Sequence, residues 1–171
     1  MSTTGMPTAL IDVLSHLLDG TGSSESWVLN PNDRGLLNSL DSLSAEDASR
    51  MPDSGGSSID AHADHLRYAF ELLNAWSRGS DAFKSADYTT SWTRTTVSAA
   101  EWAERRAALR RKAYEWRTAI ADRPIADTFG LTVIVAAIAH LACVPHRRNP
   151  PDRPLPPRPR GDRISSPARI E

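Results

Sequence analysis

A chain of 171 residues with 40% apolar and 24% charged side chains is long enough for one packed core and too apolar to be disordered throughout. Its net charge of −1 gives no general reason to expect a nucleic acid or an anionic membrane as partner. The single cysteine, Cys143, excludes an internal disulfide, and the first residues show no basic or apolar leader, so the expected location is cytoplasmic.

Leu10, Val13, Leu14, Leu17 and Leu18 repeat at the spacing of an amphipathic helix, which Gly20 should stop. A loop from Thr21 to Asn32 carries Trp27, and Pro31 bars a helix from running through it. Leu36, Leu37, Leu40 and Leu43 suggest a short helix, and Ser44 three residues before Asp47 resembles a cap for one more turn. Pro52 to Ser57 reads as a Gly/Ser linker.

The second long helix should begin at Ser57 or Ser58 and end at Gly79, with Ile59, His62, Leu66, Ala69, Phe70 and Leu73 on one face. Asp81 to Thr96 is polar with scattered aromatics (Phe83, Tyr88, Trp92) and predicts an ordered crossover loop. Ser98 and Glu101 have the spacing of a capping box for a third helix running to about Ala121. Its inner face should be Trp102, Leu109, Ala113, Trp116 and Ile120, and its Arg, Glu and Lys residues a solvated outer face. A fourth helix should start near Asp127, after Pro124. The apolar run from Phe129 to Val144 is too short for a membrane span, which needs roughly 18–20 residues, and reads as a buried core helix.

The composition then changes. Eight of the 12 prolines lie between Pro145 and Pro167, and seven arginines accompany them from Arg147 onward. Such a stretch cannot sustain a helix or bury apolar area. The pattern predicts an all-α four-helix bundle over residues 6–144, with a shortened last helix, and a disordered Pro/Arg-rich tail over 145–171.

The residues that bear on chemistry are histidines. His62 sits on the apolar stripe of the second helix with His65 beside it, and His140 lies in the most apolar segment of the chain. Imidazoles aimed into a bundle are costly unless something pairs with them; a metal is one such partner, and hydrogen-bonded core or boundary histidines are the alternative. Tyr68, Trp76 and Trp92 are candidates for lining a pocket, against a plainer role in core packing. There is no Gly-rich phosphate loop, no nucleophile elbow and no Cys-based metal pattern.

The stretch from Ser58 through His62 and His65 to Tyr68, together with Ala139-His140-Leu141-Ala142, resembles the DinB/YfiT-like superfamily. Ser26-Trp27-Val28-Leu29-Asn30-Pro31, the Gly35 to Leu40 segment and Ser91-Trp92 are similar to one branch of it. The resemblance covers roughly Met6 to Ala142. It implies a four-helix bundle that binds a divalent metal, zinc or nickel, through one histidine of the second helix and an H-x-x-x-H pair on the last. It also implies an enzyme acting on a small molecule, of hydrolase or thiol transferase type. Carried over, His65 and His140 become ligands, and His62 either stands beside the metal or is merely a boundary residue. The second histidine of the pair would fall at Val144, so the site is expected to be incomplete. His146, two positions late and beyond Pro145, is the remaining candidate for the missing ligand. A non-catalytic, degenerate bundle or a protein-interaction module is the alternative, and homodimerisation through uncovered apolar surface is expected.

One change of reading frame accounts for both the lost ligand and the tail. With synonymous codons chosen freely, Cys143 to Asp152 can be written so that the next frame encodes Ala-Tyr-His-Thr-Ala-Ala-Ile-Arg-Gln. A tandem four-base duplication at Ala142 would place this directly after His140-Leu141 and restore the H-x-x-x-H spacing.

Overall fold

The computed structural model describes residues 5–23, 26–53, 55–93, 96–122 and 127–143. The expected tail, with Val144 and His146, and Pro124 lie outside them. Among the described residues the regular structure is helical: α1 (Gly5–Asp19), α2 (Gly35–Asp41), α3 (Ala45–Ser49), α4 (Ile59–Ser77), α5 (Ala99–Asp122) and α6 (Thr128–Cys143). Two short 3-10 turns, Ala82–Ser85 and Thr90–Trp92, interrupt the α4–α5 connection. No described helix is long and apolar enough to cross a membrane.

The helix ends are where side chains can satisfy the orphan backbone groups of a first or last turn. The Ser58 hydroxyl accepts from Ala61 N at 3.2 Å and starts α4. Ser98 and Glu101 form a reciprocal box: the Glu101 carboxylate accepts from Ser98 N at 2.8 Å, and the Ser98 hydroxyl accepts from Glu101 N at 3.3 Å. The Asp127 carboxylate accepts from Gly130 N at 2.6 Å and caps α6. At the other end of α4, Gly79 adopts φ +91° and its amide donates to Trp76 O at 2.8 Å, the left-handed terminus that glycine permits.

At the α1–α2 corner two glycines meet. Gly20 (φ +91°) and Gly35 (φ +67°) lie so close that a Cβ on Gly35 would collide with Gly20 N, and one on Gly20 with Asp33 O. Above this crossing the loop is held by Thr21 N donating to Asp33 O at 3.1 Å and Asn32 N to Gly22 O at 2.6 Å. Its tip carries a fully exposed Trp27.

The core lies between α1, α4 and α5. Leu14, Leu17 and Leu18 of α1 share one buried cluster with Leu66, Phe70 and Leu73 of α4 and with the predicted inner face of α5, all five members of which are buried. Phe70 and Trp116 pack ring on ring at 5.7 Å. Buried polar groups cross the same interface with partners: Asn74 Nδ2 donates to Lys112 O at 2.9 Å, and Trp102 Nε1 to Leu43 O at 2.9 Å.

Two expectations need correction. The α5 arginines do not form a merely solvated face. Arg105 reaches Asp60 and Asp64 of α4, Arg106 and Arg110 hold Asp41 at the end of α2, and Arg117 holds Asp19 of α1 at 2.9 Å. A carboxylate on a neighbouring helix, invisible to local spacing, decides where each guanidinium goes. Nor is α6 a buried core helix: only Ile134, Ile138 and Leu141 are buried, while Phe129 is 65% and Val135 48% exposed. It packs against α1 on one side and makes ring contacts with α4, Phe129 with Trp76 and His140 with His65. Among the described residues no helix covers its remaining side. At 16 residues α6 is shorter than α4 (19) and α5 (24) and close to α1 (15).

Candidate functional site

α4 and α6 run antiparallel, so the pairing of Trp76 with Phe129 near one end brings His65 opposite His140 near the other. Their Nε2 atoms stand 3.1 Å apart. With both rings neutral, one donates its Nε2–H to the other's lone pair, so the two rings carry opposite tautomers. His65 Nδ1 is buried and has no hydrogen-bond partner among the described residues. His62, half-buried one turn away, sets its ring edge-on to Trp92 at 5.3 Å.

The crossover loop supplies the rest of the surroundings. The Trp92 ring lies 4.7 Å from that of His65 and is tilted by 31°, and Tyr88 approaches His65 at 5.7 Å. Tyr88 in turn meets Tyr68 of α4 at 5.7 Å. Of the aromatic candidates, Trp92 stands at the histidines and Tyr68 reaches them only through Tyr88, whereas Trp76 packs at the far end of α6.

Burial and neighbouring imidazoles favour the neutral form of His62 and His65. Burial lowers the pKa of His65 below the usual histidine value of 6.5, and the neighbouring His140 and His62 lower it further against the opposing pull of Asp64. His62 is lowered by burial and by His140. A neutral imidazole is the form that can ligate a metal or accept a proton.

The carboxylates of α4 are committed elsewhere. Asp60, 1% exposed, faces Arg105 Nε at 2.7 Å, a charge contact whose angles fall short of a hydrogen bond. Asp64 accepts from Arg67 Nε at 2.8 Å and also pairs with Arg105. Burial alone would raise the Asp64 pKa, but Arg67 and Arg105 outweigh it and hold it below the ordinary carboxylate value.

Two nitrogens bound to one tetrahedral zinc at roughly 2.05 Å stand about 3.3 Å apart. The 3.1 Å separation of His65 and His140 thus fits two ligands of one ion with little movement. The set ends there: among the described residues no three His, Cys, Asp or Glu side chains are placed to share an ion. His62 is near without completing it, Cys143 is exposed at the end of α6, and His146 lies outside the described residues.

Sequence reasoning singled out both members of the pair. It missed Tyr88, noted only as one of the loop's scattered aromatics, and it gave no role to Arg105, whose contacts with α4 carry no local signature. Comparison with known proteins adds one finding at the level of the family and none at the level of individual relatives: no curated protein and no solved structure matches the chain. A family model described as the DinB superfamily matches residues 32–144, a span that holds α4, α5, α6 and both histidines of the pair. The all-helical architecture agrees with that match, and the chain belongs to the DinB superfamily.

Proposed function

We propose that the His65–His140 pair is the remaining part of a divalent-metal site, for zinc or nickel, in a DinB-type enzyme acting on a small molecule. The observation that carries this reading is the approach of two Nε2 atoms to 3.1 Å from helices 75 positions apart in the chain. His65 and His140 would hold the ion; when bound it would supply Lewis-acid chemistry for a water or a thiol, in a hydrolase or thiol transferase reaction. The surrounding chain orients the two rings, and burial keeps His65 neutral and ready to bind. With two protein ligands among the described residues the site is incomplete, so binding is weak and activity is low or lost.

Titration of the full-length protein with zinc or nickel tests this. Stoichiometric binding that disappears in His65→Ala supports the metal site, and Val144→His, which restores a histidine four residues after His140, should tighten binding at least tenfold. Equal binding by wild type and His65→Ala would sink the reading in favour of a degenerate, non-catalytic bundle. Sequencing the gene around Ala142 decides the frame-change origin of the tail: the alternative frame must encode Tyr-His followed by Ile-Arg-Gln.

The exposed apolar side chains of α6, Phe129 and Val135, favour self-association as well. Gel filtration of the full chain should show a dimer, and a monomer at all concentrations counts against that part of the proposal.

A further inference from the structure

A histidine ring turns on a terminal sp³–sp² torsion that is intrinsically broad. A ring that must present one nitrogen to a metal therefore needs an outside restraint. The usual one is a hydrogen bond from the other ring nitrogen to a carboxylate or carbonyl. Among the described residues His65 lacks it: Nδ1 is buried without a hydrogen-bond partner, and the carboxylates of Asp60 and Asp64 are engaged by Arg105 and Arg67.

What His65 has instead is an aromatic face. The Trp92 ring lies 4.7 Å away at only 31°, the closest and flattest of the ring contacts that His65 makes with Trp92, Tyr88 and His140. Turning the imidazole about its torsion would drive its edge into the indole. The indole is itself carried by a hydrogen-bonded loop. Asp87 Oδ1 accepts from Thr89 N at 2.9 Å and from the Thr89 hydroxyl at 2.6 Å, and Asp87 N donates to the Tyr68 hydroxyl at 3.1 Å. Trp92 N then donates to Thr89 O at 3.1 Å, and Ser91 is buried beside it.

We infer that Trp92 is a positioning residue: its ring face replaces the missing hydrogen bond and holds His65 Nε2 toward His140. This deepens the metal-site reading and rests on it for its consequence in binding, but not for the ring geometry. Trp92 is 39% exposed, so trimming it removes little core, and an effect on His65 is separable from an effect on folding.

Two measurements on the full-length protein test it, each comparing wild type with Trp92→Leu and Trp92→Phe. In metal-free NMR, stacking on the indole should shift the His65 ring protons upfield; the shift should vanish in Trp92→Leu and persist in part in Trp92→Phe. In zinc or cobalt titration, Trp92→Leu should weaken binding by roughly tenfold or more, the range for lost orienting partners, with Trp92→Phe recovering most of it. Unchanged His65 proton shifts in Trp92→Leu would overturn the proposal, and so would unchanged zinc affinity. If wild type binds no zinc or cobalt, the metal reading fails together with the role of Trp92 in binding, while the NMR comparison still decides the ring geometry.

Discussion

α5 carries Arg, Glu and Lys along most of its 24 residues, yet it buries Trp102, Leu109, Ala113, Trp116 and Ile120. α6 has no Asp, Glu, Lys or Arg among its 16 residues and buries only Ile134, Ile138 and Leu141. The more polar helix is thus the more deeply embedded one. Burial depends on what stands opposite. α5 has α4 along its length and α1 and α2 beyond, and the charges that flank its apolar stripe find carboxylates on those helices. α6 has α1 beside it and ring contacts with Trp76 and His65 of α4.

The largest test of this contrast removes a large side chain from each helix. Trp116→Ala, at a site that is 0% exposed, should cost about 3–5 kcal/mol in urea denaturation. Val135→Ala on the open side of α6 should stay within about 0.5 kcal/mol. A loss at Val135 comparable to that of a core deletion would mean that a second molecule covers α6 in solution, and the contrast would dissolve.

A similar but smaller effect is expected at the polar seam. Arg105→Ala leaves Asp60 buried without its guanidinium, a situation that typically costs about 3 kcal/mol or somewhat more. If the paired variant Asp60→Asn with Arg105→Ala recovers much of the loss, the penalty belongs to the stranded charge; if it recovers none, Arg105 acts through packing alone.

The smallest effect is on pH dependence and concerns the two histidines of α4. His62 and His65 have folded pKa values below the 6.5 of the unfolded chain. Below pH 6.5 the unfolded state therefore takes up protons that the folded state still refuses. Their contribution is intact above pH 6.5 and is lost as pH falls through the lowered folded values. The melting temperature of the metal-free protein should drop over that interval, and less so in a His65→Phe variant.

Much of this architecture can be read from local signals. Ser58, Gly79 and the Ser98–Glu101 pair mark helix ends because capping involves residues only a few positions apart. The α5 stripe was legible because a period of 3.6 is written in the chain itself. The likeness of the segments around His65 and His140 to DinB proteins brought those two residues together before any coordinates did. What escaped was non-local. Hydropathy measures how well α6 tolerates burial, not whether anything covers it. The placement of Arg105 over Asp60 and Asp64, and of Trp92 against His65, depends on how a loop and a neighbouring helix are held, which no spacing rule encodes.

The crossing of Gly20 and Gly35 carries a practical consequence. The backbone is pinched there and cross-linked by its own amides, which fixes where the loop leaves and rejoins the helices. A peptide tag spliced in near Trp27 should leave the bundle as it was, whereas a single methyl group added at Gly35 should not be tolerated. The loop is a graft point with a fixed neck.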